Sequence, residues 1–328
     1  MDKQALKEIA IEQKKSFDAV EKGTRRDLLA KIKEYARLPQ IVVLTGIRRC
    51  GKSTLLRQSM DFLRNKGYYF NFEDERLLGF EARSFNDLYE VFLELYGEKK
   101  LFFFDEIQNV PEWERFVRRM YDNGSKFFIT GSNASLLSRE LGTRLTGRYV
   151  SVDLQPFSFG EYLKFSGYDL RPGDFLETKK RAKMKRYFNA YLKKGGMPEY
   201  LKFGNVEALK KVYNDILYRD VVAKFGVEDT KALRELSFYL ISNLASSYTY
   251  NSLKKFLGLG SFNTVKSYID HLENSLLFYS VSLYSPSLKR QSVSARKVYA
   301  ADNGLAEAVS FKFSADWGNY LGNAVFLG

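Results

Sequence analysis

In the first half of the chain, apolar residues fall in short unbroken runs separated by stretches of helical period. Ile41-Val42-Val43-Leu44-Thr45, Tyr68-Tyr69-Phe70-Asn71-Phe72, Leu101-Phe102-Phe103-Phe104, Lys126-Phe127-Phe128-Ile129-Thr130 and Tyr149-Val150-Ser151-Val152 each have the length of a strand. Helical patterns lie between them, at about 53–64, 84–97 and 112–122. Strands that are apolar at successive positions are covered on both faces, so the alternation predicts an α/β fold around a parallel sheet. Ahead of the first run, Leu28, Leu29, Ile32 and Tyr35 repeat at helical spacing and Pro39 ends the pattern, which makes residues 1–38 helical.

Beyond Pro156 the strand signal fades. Residues 158–225 read as helices. Residues 232–301 read as three helices followed by two strands. Leu233, Leu236, Leu240 and Leu244 mark the first helix, Asn251 to Leu257 the second, and Gly258-Leu259-Gly260 a turn. Ser261 can cap a third helix whose inner face is Val265, Ile269, Leu272 and Leu276. Strands Leu276–Tyr284 and Arg296–Ala300 then flank a loop bearing Lys289 and Arg290, the pattern of a winged helix-turn-helix.

Composition narrows the class. The 328 residues are 45% hydrophobic, with 22 Tyr and 27 Phe, which is material for more than one core. No run reaches the ~18 apolar residues that a membrane helix needs, and the charged N-terminus lacks a signal-peptide apolar region. Cys50 is the single cysteine, which excludes an intrachain disulfide and points to a reducing cytoplasm. The net charge of +13 is uneven, with a balance of +4 over residues 1–154 and +9 over 155–328. A basic second half suits either an anionic partner such as nucleic acid or a solvated lysine-rich surface. The basic run 179–194 reads as a solvated helix face, and the lone His271 as a structural histidine.

Gly46-Ile47-Arg48-Arg49-Cys50-Gly51-Lys52-Ser53 joins the first strand to a helix and matches the phosphate-binding loop G-x-x-x-x-G-K-[ST]. Glycines let the backbone wrap a phosphate, and the N–H groups of a helix N-terminus face it. Gly46, Arg49, Gly51, Lys52, Ser53 and Thr54 are therefore the candidate ATP contacts. Lys52 supplies charge to the β- and γ-phosphates and Ser53 a hydroxyl to Mg²⁺. The third strand ends in Asp105-Glu106, where Asp105 can hold Mg²⁺ and Glu106 can deprotonate an attacking water. That second carboxylate favours hydrolysis over phosphoryl transfer to a small molecule. Ser132 and Asn133, after the fourth strand, suit either a γ-phosphate sensor or a helix cap. Arg148, just before the fifth strand, suits either an arginine finger reaching a neighbouring copy or an ordinary surface arginine.

These elements, in this order, resemble the AAA-plus branch of P-loop ATPases. The stretches LTGIRRCGKSTLL, FFFDEIQNVPEWE, GGMPEY, YRDVVAKFGVED and RKVYAADNGL are similar to a group of archaeal and bacterial ATPases. Members of that group combine an AAA-plus core, a winged helix and a restriction-endonuclease-like domain. The resemblance implies sheet order 5-1-4-3-2. It also implies a core at 39–155, a helical lid at 156–228, a winged helix at 229–305 and the start of the nuclease-like domain at 306–328. Gly322 stands where the group usually has a glutamate, and the chain stops before the remaining acidic and lysine positions. No nuclease activity is therefore expected of it.

Lys266, Lys289, Arg290, Arg296 and Lys297 are the candidate contacts to duplex DNA. Lys266 is the one basic residue on the outer face of the recognition helix and Asp270 opposes it, which favours backbone contact over base readout. Two functions compete: an ATP-driven switch or motor on DNA, and a slow nucleotide-dependent switch that binds a protein partner through its winged helix.

Overall fold

The computed structural model describes residues 2–64, 66–131, 145–287, 291, 294–310 and 317–328. The chain divides into two compact units. The first comprises residues 1–46 and 51–154, the second residues 47–50 and 155–328.

The first unit is a five-stranded parallel sheet, β1 (Ile41–Thr45), β2 (Gly67–Asn71), β3 (Leu101–Asp105), β4 (Lys126–Gly131) and β5 (Tyr149–Asp153). Its order is β2-β3-β4-β1-β5, as the resemblance implies. All five residues of β1 are buried, because helices cover both faces and no position is left for a polar residue. The phenylalanines of β3 and β4 pair in register on alternate faces. Phe102 stacks on Phe127 at 4.7 Å and Phe103 on Phe128 at 5.0 Å. Each such stack adds about 0.5–1.5 kcal/mol beyond the burial itself.

Helices α1 (Lys3–Ala19) and α2 (Leu29–Tyr35) belong to this same unit. Leu6, Ile9, Ala10, Gln13 and Phe17 make one buried face of α1, which packs on β2 and on α4 (Ser84–Tyr96). The Phe17 ring stacks on Tyr69, and buried Gln13 bonds both backbone groups of Asn71. The other covering helices are α3 (Lys52–Phe62) and α5 (Trp113–Asp122).

The second unit is mainly helical: α6 (Phe159–Phe165), α7 (Thr178–Lys194), α8 (Pro198–Phe203), α9 (Val206–Asp215) and a π-helix (Ile216–Ala223). Three helices follow, α10 (Thr230–Ser242), α11 (Tyr250–Leu257) and α12 (Phe262–Asn274). The antiparallel strands β7 (Phe278–Ser282) and β8 (Arg296–Ala300) come next, joined through β8 by a short strand β6 (Ser247–Tyr248) that the sequence pattern does not reveal. Helices α13 (Asn303–Val309) and α14 (Trp317–Leu327) complete it. Among the described residues no helix is long and apolar enough to cross a membrane.

Two of the sequence stretches singled out above turn out to interlock. Asp302, 2% exposed, accepts N–H bonds from Gly196 at 2.5 Å and Leu305 at 3.1 Å, so it caps α13 and ties it to the Gly195-Gly196 turn. A Cβ at Gly195, whose φ is +70°, would strike the Asp302 carboxylate, and one at Gly196 would strike the Phe157 backbone. Asn303 and Asn323 continue the network: Asn323 bonds both backbone groups of Ala300, and Asn303 bonds the carbonyls of Leu192 and Tyr320. The motifs GGMPEY and RKVYAADNGL thus hold the second unit together.

Burial pushes the Asp302 carboxyl up to about 6, against the pull of the backbone N–H groups of Gly196, Leu305 and Gly304. The folded chain therefore holds a proton that the unfolded chain releases at lower pH. This group's stabilising contribution falls as pH rises from about 4 to about 6, and stays level above that. Urea unfolding of the parent and of Asp302→Asn at pH 4.5 and 6.5 checks this. The parent is expected to lose about 2 kcal/mol relative to Asp302→Asn between the lower and the higher pH. Parallel pH dependence in the two proteins would contradict it.

Candidate functional site

Lys52 opens α3, and Gly51 precedes it at φ +104°, ψ +26°, a conformation open to glycine without strain. The sharp reversal sends the Lys52 side chain back under the loop, where Nζ donates to the Gly46 carbonyl at 3.2 Å. Lys52 is 5% exposed, and its Nζ lies 3.3 Å from Oε1 of Glu106. The two residues fifty-four positions apart meet because β3 ends one strand removed from β1, at the same edge of the sheet.

Asp105 is the last residue of β3 and is 2% exposed. Ser53 and Thr130 donate their hydroxyls to it, and Tyr69 donates its phenol from 3.4 Å. Burial, and then the neighbouring Glu106 charge, raise the Asp105 carboxyl above the usual range, while the hydroxyls of Thr130 and Ser53 oppose the shift. Burial and the Asp105 charge together raise the Tyr69 phenol, which stays a donor. Thr130, near the end of β4, ties the Asp105 carboxylate to the Glu106 backbone, since its Oγ1 also accepts the Glu106 N–H at 3.0 Å. The adjacent hydroxyl and carboxylate of Ser53 and Asp105 form the hard oxygen donor set that Mg²⁺ takes, so the residues present fit that ion.

Glu106 itself sits at φ +49°, ψ +44°, and Arg49 in the loop at φ +62°. Left-handed backbone at a non-glycine residue costs about 1–2 kcal/mol and concentrates where side-chain direction matters. At Glu106 it turns the carboxylate off the strand axis toward Lys52. A cavity of about 330 Å³ borders the Ser53–Asp105 edge of the site, with Gln13 and Phe17 of α1, Tyr69 and Asn71 of β2 among its walls.

The remaining sequence-predicted residues are placed as follows. Residues 47–50 belong to the second unit. There Arg49 binds both oxygens of Glu199 at 2.7 and 2.6 Å, and Arg48 binds Asp220 of the π-helix at 3.0 and 3.2 Å. Thr54 is half-buried in the first turn of α3. Arg148 pairs with Asp122 at 3.2 Å, and its carbonyl accepts the N–H of Ile41, the first residue of β1. It therefore lies at the edge of the sheet opposite Lys52, a strand length of about 16 Å away. In the second unit Lys266 and Lys297 are exposed, whereas Arg296 is half-buried with its guanidinium over the Tyr250 ring at 5.2 Å. Ser132, Asn133, Lys289 and Arg290 lie outside the described residues. His271 stacks on Phe225 at 4.1 Å, and burial lowers its imidazole, as suits a structural role.

Residues 38–163 match the AAA domain model, and residues 185–316 match a domain of unknown function, DUF8612. The chain is 33% identical over 321 residues to the uncharacterized protein MJ1544 of Methanocaldococcus jannaschii, an alignment spanning 95% of this chain and 71% of the relative. The chain belongs to the family that includes MJ1544, and its residues 38–163 form an AAA domain. An uncharacterized protein of Haemophilus influenzae, 32% identical over 93% of this chain and 78% of its own length, shows that bacteria share the family. Solved structures with distant likeness include Aeropyrum pernix ORC1 in complex with DNA, at 13% identity, TM-score 0.35, over 87% of this chain and 92% of that one. Another is the Thermotoga maritima RuvB Holliday junction branch migration motor, at 15% identity, TM-score 0.35, over 77% and 86%.

Proposed function

We propose that this chain is a Mg²⁺-dependent, ATP-hydrolysing AAA-plus switch or motor that acts on duplex DNA. The observation that carries the hydrolytic reading is the meeting of Lys52 and Glu106 beside the Ser53–Asp105 pair. Lys52 and the loop N–H groups bind the phosphates. Mg²⁺ held by Ser53 and Asp105 would neutralise charge on the β- and γ-phosphates. The Glu106 carboxylate takes a proton from water, whose oxygen bonds to the γ-phosphorus while the β–γ bridging oxygen leaves with ADP. Once phosphate draws Lys52 away, Glu106 is released from that ion pair to act as base.

Arg148 lies too far from its own Lys52 to act there. Any finger role is therefore played toward the γ-phosphate of a second copy, after release from Asp122. Ser132 and Asn133, directly after β4, are the proposed γ-phosphate sensors.

The DNA reading is supported by α10, α11 and α12 followed by the β7–β8 hairpin, an arrangement we read as a winged helix, and by exposed Lys266 and Lys297. Exposed Asp270 on the same helix as Lys266 directs the proposed contacts to phosphate rather than to base edges. Lys289 and Arg290, which fall between β7 and β8 in the sequence, are further proposed phosphate contacts, and Arg296 acts by packing on Tyr250. A salt titration of duplex binding tests this. Affinity is expected to fall steeply with salt, and Lys266→Ala with Lys297→Ala is expected to lower the log–log slope by about 0.9 for each phosphate that is no longer neutralised. Absence of binding at low salt would favour a protein partner for this half of the chain.

A further inference from the structure

The turn after β3 holds a residue that the assignments above leave without a task. Ile107–Asn109 form a single tight helical turn, fixed by the fully buried Ile107, by buried Val110, and by Asn109 donating to the Phe72 carbonyl at 3.2 Å. Gln108 stands between these anchors, so its position is set by the core rather than by its own side chain. Its Nε2 donates to Oε2 of Glu106 at 2.5 Å. The reverse amide orientation would set two oxygens against each other, so chemistry fixes which end faces the carboxylate. Its Oε1 is buried and meets no hydrogen-bond donor among the described residues. The amide's bonding to the protein is thus spent on Glu106. A buried acceptor left in this way is unfavourable.

Glu106 has three fixed points: its N–H on Thr130, one oxygen near Lys52 and the other on Gln108. Nucleotide competes for Lys52, because phosphate is the stronger claim on that ammonium. We infer that Gln108 is the positioning residue for Glu106, holding the carboxylate in its hydrolytic orientation when Lys52 turns to phosphate. The inference rests on Glu106 being the base. A carboxylate displaced by about 1 Å loses on the order of a hundredfold in rate, and without Gln108 the side chain would rotate freely about its last bonds.

The test compares kcat, nucleotide Kd and thermal midpoint in the parent, Gln108→Met and Gln108→Glu. Methionine keeps the length of the side chain without a donor, and glutamate sets a second carboxylate against the first. Both are expected to lower kcat at least about tenfold and to leave Kd within about threefold of the parent. In a Glu106→Gln background, Gln108→Met is expected to add no further loss. Parental kcat in Gln108→Met overturns the inference, as does a loss matched by equal falls in affinity and thermal midpoint, which marks a merely structural residue. Parental turnover in Glu106→Gln alone would remove the base assignment and this inference with it. An inert Glu106→Gln beside a fully active Gln108→Met removes the inference alone.

Discussion

Glu106→Gln is expected to bind ATP as tightly as the parent and to hydrolyse it at least about 100-fold more slowly, the range that a positioned general base contributes. The substitution changes one atom and keeps the shape. The new carbonyl can still accept from Lys52, and a rotated Gln108 amide can offer its oxygen to the new NH₂. Neither Ser53 nor Asp105 loses a partner. What disappears is the capacity to accept a proton from water. Steady-state phosphate release measured beside equilibrium nucleotide binding checks the expectation. Turnover within a factor of two of the parent would assign the proton transfer to some other group.

Lys52→Ala is expected to act on the other side of the same pair, weakening ATP binding about 30–150-fold. A charge-assisted bond to phosphate contributes about 2–3 kcal/mol, and each 1.4 kcal/mol is tenfold in Kd. The lysine is buried between the Gly46 carbonyl and Glu106, so the substitution also removes a cation beside that carboxylate. Gln108 and the Thr130-anchored backbone remain, which keeps the effect on folding smaller than the effect on binding. Calorimetric titration with a non-hydrolysable analogue measures it. Undiminished affinity would remove the phosphate loop from the nucleotide site.

The strands were legible in the sequence because a parallel strand covered on both faces carries its signal in five consecutive residues, as Leu101–Asp105 does. Their order was not local information and came from the resemblance. Lys52, Ser53, Asp105 and Glu106 were legible because each lies in a motif whose spacing the phosphate chemistry imposes. Thr130, Tyr69 and Gln108 were not. Thr130 reads as the last residue of an apolar strand, and its two bonds to Asp105 and Glu106 exist only because β4 lies beside β3. Gln13 and Phe17 looked like members of a separate N-terminal helix, whereas their partners are on β2, more than fifty residues along. The π-helix was illegible because Ile216–Ala223 keeps helical periodicity, and only the hydrogen-bond spacing differs. Arg148 shows the converse: its place before β5 was read correctly, but the parallel register that sets it beside Ile41 emerges only once the sheet is assembled.

The most direct test of the proposed hydrolytic site is a single-turnover experiment. Chain in excess over γ-labelled ATP is quenched at intervals, with Mg²⁺ or with EDTA, in the parent and in Glu106→Gln. The structure predicts release of labelled phosphate by the parent with Mg²⁺, none with EDTA, and bound, uncleaved ATP in Glu106→Gln. Equal release from both proteins, or from the parent in EDTA, would contradict it.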